Sequence, residues 1–220
     1  MDDIIIVDGV TKSYKGLIVL DHIQVSFERA KIHGIIGRNG SGKTVLIKTI
    51  CGFVLPDKGQ VIVDGKTIGK DLDFPQNVGA IIEAPGFIPT LSAYKNLSYL
   101  ASLRGIIGAE EIRRAISVVG LNPDDKKHVG KFSLGMKQRL GLAQAIMENP
   151  DILILDEPMN GLDKDGVVEM RNLLNQFRIN GKTIILVSHS AEDINILCDT
   201  VYEMDKGILH KIEKQNINSR

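Results

Sequence analysis

Neither sign of charge is in excess: 27 lysines and arginines meet 27 aspartates and glutamates in 220 residues, giving a formal net charge of zero. That balance argues against a nucleic-acid binder working through bulk positive charge. Long hydrophobic runs are also missing, since stretches such as Ile4 to Val7 and Ile152 to Leu155 stop after a few residues. A bilayer crossing needs roughly 18 to 20, so the chain itself is not expected to span a membrane. Only two cysteines occur, Cys51 and Cys198, 147 positions apart in apolar surroundings. They form neither a redox Cys-x-x-Cys nor a metal-binding spacing and read as buried thiols. The N-terminus opens on Asp2 and Asp3 with no basic segment or apolar h-region behind it, so cytosolic residence is the expectation.

Glycine is the one excess, at 22 of 220 residues against a usual share of roughly 7%. It points to tight turns and to close approach of backbone to a ligand. Hydrophobic residues at 43% and charged residues at 25% are those of an ordinary globular protein, of a length for one domain or one domain with an inserted lobe.

Short apolar runs recur at Ile32 to Ile36, Val61 to Val63, Val78 to Ile82, Ile152 to Leu155 and Thr183 to Val187. They are continuous rather than alternating, as in strands of a parallel sheet covered on both faces. Between them lie helical patterns; Val167, Met170, Leu174 and Phe177 place one apolar stripe on one face. Residues 92–149 differ, holding helix-like segments (Ala93 to Arg104, Glu110 to Val119, Met136 to Glu148) and no convincing strand. They read as a helical lobe inserted in a sheet domain formed by 1–91 and 150–220. Ser92 is placed to cap the first of these helices, and Asn122-Pro123-Asp124 marks a turn. After the Asp205-Lys206-Gly207 turn only a short polar tail is expected.

Gly37-Arg38-Asn39-Gly40-Ser41-Gly42-Lys43-Thr44 satisfies G-x-x-x-x-G-K-[ST] directly after an apolar strand and ahead of the helical pattern Val45 to Cys51. Backbone N–H groups of such a loop wrap phosphate oxygens, the helix presents its positive end, Lys43 reaches the β and γ phosphates, and the Thr44 hydroxyl ligates Mg²⁺. A glycine-rich turn matching by accident is the alternative, and the flanking strand and helix argue against it. Ile152 to Leu155 runs into Asp156-Glu157, which makes Asp156 the candidate metal acid and Glu157 the candidate base that polarises the attacking water. Alone, the pair would read as an ordinary acidic strand end. Thr183 to Val187 ends in Ser188-His189-Ser190, placing His189 at the same sheet edge. His22, His33, His128 and His210 have no such setting.

Phe132-Ser133-Leu134-Gly135-Met136-Lys137-Gln138-Arg139, with Ser133 lying 23 residues before Asp156, resembles the signature motif of ATP-binding-cassette (ABC) ATPases. The P-loop, Asp156-Glu157, Asn160-Gly161-Leu162-Asp163 resembling the D-loop, and His189 resembling the switch histidine complete the set in family order. The resemblance implies an α/β P-loop NTPase fold with a mainly parallel sheet core, an N-terminal antiparallel β region and an inserted helical lobe. It also implies that Tyr14 stacks on adenine, a core tyrosine being the alternative. Ser133 and Gly135 would face the γ-phosphate bound on an opposite subunit, in a homodimer sandwiching two ATP·Mg²⁺.

Two departures stand out. The signature carries Leu134 and Met136 where the family has a second small residue and a glutamine. Glu83, after the strand Val78 to Ile82, stands where the family has a glutamine that helps bind Mg²⁺. With the signature and Asn-Gly-Leu-Asp, this glutamate resembles the bacitracin-resistance and lantibiotic-immunity subfamily. That resemblance implies an ATPase subunit, peripheral on the inner membrane face, driving separate transmembrane permease subunits that expel peptide antibiotics, with no nucleic-acid partner. A groove around Ala84 to Leu100, with Phe87, Ile88, Leu91, Tyr94 and Leu97, would seat a permease helix, at least half of these residues serving only to pack the lobe. The rival is a non-transport ABC switch acting on ribosome or nucleic acid, disfavoured because no second cassette, coiled coil or basic extension occurs. GTP is disfavoured by the lack of Asn-Lys-x-Asp.

Overall fold

A computed structural model describes residues 3–83 and 86–214. The chain opens with a long hairpin, β1 (Asp3–Tyr14) against β2 (Leu17–Glu28). Lys15 and Gly16, which join them, both have positive φ, at 50° and 84°, the primed turn geometry that matches strand twist. β1 also pairs antiparallel with β4 (Lys58–Val63), and β5 (Lys66–Thr67) extends this sheet in the order β2-β1-β4-β5.

A second sheet has the order β10-β9-β3-β8-β7-β6. Five of its strands run parallel: β3 (Ile32–Ile36), β6 (Val78–Ile81), β7 (Ile152–Asp156), β8 (Thr183–Val187) and β9 (Thr200–Asp205). β10 (Ile208–Ile212) folds back antiparallel on β9. The expected short polar tail is therefore corrected: its first residues are an edge strand with mostly exposed side chains, too polar to resemble the buried runs.

Among the described residues six α-helices complete the fold: α1 (Lys43–Ile50), α2 (Ala93–Arg104), α3 (Ala109–Val118), α4 (Leu134–Ile146), α5 (Lys164–Ile179) and α6 (Ala191–Leu197). Ser92 caps α2 by accepting the Lys95 N–H at 3.4 Å, and Gly105 closes that helix in the left-handed conformation. Among the described residues no helix is long and apolar enough to cross a membrane.

The parallel sheet separates two hydrophobic cores. Along β7, Ile152 and Ile154 join Phe27, Ile35, Leu46 and Ile47 in the layer between the sheets, whereas Leu153 and Leu155 join Leu140, Met170 and Leu174 under the other helices. Burial on both faces is why these strands are continuous apolar runs. Because the five strands are parallel, the segments following β3, β6, β7 and β8 all emerge at one edge, where ligands of open α/β sheets bind.

Candidate functional site

The loop from Gly37 to Gly42 leaves β3 and turns into α1. Gly42 caps the helix at φ 114°, and a Cβ there would stand 2.8 Å from the Val19 carbonyl oxygen, so only glycine serves. The first turn of α1 has neither an acidic residue nor a side-chain cap, leaving its N–H groups and positive end open to an anion. Before them lies a cavity of about 320 Å³ lined by the loop, Val19, Lys43, Thr44, Asp156 and Glu157. Asn39 and Gly40 are its exposed lining residues, and Arg38, exposed beside them, does not line it.

Lys43 is buried and donates to the carbonyls of Gly37 at 2.7 Å and Arg38 at 3.0 Å. Burial holds its pKa down, against the pull of the Glu157 and Asp156 carboxylates. Beside it, the buried Ser41 hydroxyl has no hydrogen-bond partner. A buried orphan hydroxyl and a buried ammonium satisfied only by loop carbonyls are groups that a polyphosphate would satisfy.

β7 delivers the acids. Asp156 has a raised pKa, first through burial and then through the neighbouring Glu157 charge. Glu157 sits in the left-handed region at φ 52°, a strained conformation for a glutamate. Three bonds hold it there: its N–H donates to the Val187 carbonyl at 2.9 Å, and its carbonyl accepts from the Asn160 N–H and from the Gln138 side chain, each at 3.1 Å. Its Oε2 lies 2.9 Å from His189 Nδ1. His189 is 71% exposed at that edge. Among the described residues no cluster of three or more His, Cys, Asp or Glu side chains could hold a metal. A magnesium ion here would take the Thr44 hydroxyl, one carboxylate and phosphate oxygens, the mixed ligation usual for this metal.

The profile of the family described as ABC transporter matches residues 20–160. The chain belongs to that family. Its chemistry is accordingly that of an ATP-binding cassette that hydrolyses ATP. The sequence is 45% identical over 206 residues to an uncharacterised ABC transporter ATP-binding protein, YybJ of Bacillus subtilis, covering 94% of both chains. It is 40% identical to the bacitracin transport ATP-binding protein BcrA of Enterococcus faecalis, covering 99% of this chain and 71% of the relative. The lantibiotic transport ATP-binding protein SrtF of Streptococcus pyogenes is 36% identical, with 89% and 84% covered. Among solved structures, a dimeric ATP-binding cassette in a post-hydrolysis state bound to ADP and Pi superposes with a TM-score of 0.85 at 21% identity, covering 96% of this chain and 98% of that one. That likeness shows the fold.

Other expected site residues of the cassette lie apart from the cavity. Ser133 caps α4, accepting the Met136 N–H at 3.2 Å. Gly135 falls within the first turn of α4 rather than ahead of it, and a Cβ there would stand 2.8 Å from the Gly161 carbonyl oxygen. Neither residue lines the cavity of its own chain. Tyr14 ends β1, 45% exposed with the Lys12 ammonium 5.6 Å from its ring centroid. It is not a core tyrosine. Glu83 follows β6 at φ 62° and binds the Lys48 ammonium at 2.7 Å.

The expected apolar groove is reduced. Leu97 is fully buried in the lobe, Phe87, Leu91 and Tyr94 are half-buried, and Ile88 alone of the five is exposed. Ala84 and Pro85 lie outside the described residues. Sequence reasoning missed Val19, Gln138 and Lys48. Gln138 carries a signal in retrospect, being the one polar side chain among the buried residues of α4.

Proposed function

We propose that this cassette is the ATP-hydrolysing subunit of a transporter that expels a peptide antibiotic, dimerising head to tail around two ATP·Mg²⁺ and driving separate permease subunits from the cytoplasmic face of the membrane. The observation that carries the chemistry is the meeting of Lys43, Thr44, Asp156 and Glu157 on one cavity at the N-terminus of α1. In this reading the Gly37–Thr44 loop and Lys43 bind phosphate, and Tyr14 stacks on the base. Thr44 and Asp156 would hold Mg²⁺, with Glu83, whose backbone neighbours the Asp156 carboxylate, as a further candidate ligand. The metal would neutralise phosphate charge and help orient the terminal phosphoryl group.

Glu157 takes a proton from the attacking water, and His189 steadies both that carboxylate and the γ-phosphate. Ser133 and Gly135, which do not line the cavity of their own chain, serve the partner copy in this reading. The positive end of α4 gives them their anion affinity. This division of each site between two chains makes ATP the glue of the dimer and hydrolysis its release. The peptide substrate rests on the likeness to the bacitracin and lantibiotic transport proteins.

The test is complementation. Cells lacking this gene should become more sensitive to bacitracin or a lantibiotic, and the wild-type chain but not Glu157→Gln should restore resistance. Unchanged sensitivity to both antibiotic classes would remove the substrate assignment while leaving the ATPase chemistry standing.

A further inference from the structure

Glu83 stands between an acid, Asp156, and a base, Lys48. Its backbone N–H bonds the Asp156 carboxylate and its charge is felt there, so the side chain is rooted beside the proposed metal acid. Yet the carboxylate itself is turned to Lys48 Nζ, 2.7 Å away on the last turn of α1. Lys48 lies one helical turn and a half beyond Lys43, on the element that carries the phosphate cradle. Both members of the pair keep solvent contact, with side-chain exposures of 32% and 63%. An ion pair this exposed is weak and exchanges readily for a stronger counter-ion, and a divalent cation is one.

We propose that Lys48 is a positioning residue that holds the Glu83 carboxylate in an ion pair, so that metal–nucleotide binding must exchange the Lys48–Glu83 ion pair for a Glu83–metal contact. This rests on the reading of the cavity as an ATP·Mg²⁺ site and adds to it the competitor for one of its ligands. A neutral glutamine at position 83 would form no such ion pair.

A double-mutant cycle tests this. Binding of the β,γ-imido analogue of ATP is measured by calorimetry against free Mg²⁺ for the wild type, Lys48→Met, Glu83→Gln and the double variant. Lys48→Met should lower the Mg²⁺ concentration for half-maximal binding about three-fold, the scale of an exposed ion pair, and should not lower it when Glu83→Gln is also present. Lys48→Arg, which keeps the pair, should behave as wild type, and Lys48→Gln replaces Lys48→Met if the latter fails to fold. An equal shift in both backgrounds, or none, overturns the exchange while the nucleotide site stands. A wild-type chain whose analogue binding ignores Mg²⁺ overturns the site reading and the exchange together.

Discussion

Asp156 shows what the site costs the fold. A carboxyl whose pKa is raised above its ordinary 3.8 by burial and by the Glu157 charge destabilises the folded chain wherever it is ionised. The penalty is fully present above the raised folded pKa and disappears as pH falls through it toward the unfolded value. Asp156→Asn should therefore raise the melting temperature of the nucleotide-free chain at neutral pH, with a gain that shrinks in acid, and should abolish stabilisation by Mg²⁺-nucleotide. Differential scanning calorimetry with and without ligand reads both effects. Glu157 tells the same story through its backbone, since a left-handed glutamate held by Gln138, Asn160 and Val187 is strain kept for a task.

Among the elements, α4 lies tightly against the edge strand β6 at Gly79. A Cβ on Gly79 would stand 1.9 Å from the Ala145 carbonyl oxygen, a clash with backbone that no rotamer relieves. Gly79→Ala should cost about 1 to 3 kcal/mol, measured by urea denaturation, and should loosen the seating of α4, whose first turn carries Ser133 and Gly135. The same elements show what sequence patterning can and cannot reach. Strands buried on both faces are continuous apolar words, so β3 and β8 coincide with Ile32 to Ile36 and Thr183 to Val187 residue for residue. Long amphipathic helices such as α2 and α5 are equally plain. By contrast β10 has mostly exposed side chains, and α6 has only seven residues; neither repeats a pattern long enough to read. At the site, motif residues tied to one sheet edge were legible because each follows a strand. Val19, Lys48 and Gln138 were not, because each enters from a different element and matters only through tertiary contact with the loop, Glu83 or Glu157.

For the molecule as a whole, the P-loop residues and the strand-end acids share one cavity, while Ser133 and Gly135 do not line it and Gly135 packs by the Gly161 carbonyl. In the proposed reading a single chain would hold phosphate in its cavity and offer donors from α4 to a second copy. The neutral net charge sets no long-range barrier to that association. The most direct measurement is steady-state ATP hydrolysis by wild type and Glu157→Gln, paired with light scattering of each in ATP and Mg²⁺. Loss of the base should cut turnover by about 10²-fold or more while Glu157→Gln accumulates as an ATP-bound dimer. A Glu157→Gln chain that hydrolyses ATP at the wild-type rate, or that binds ATP and Mg²⁺ yet stays monomeric, would contradict the account.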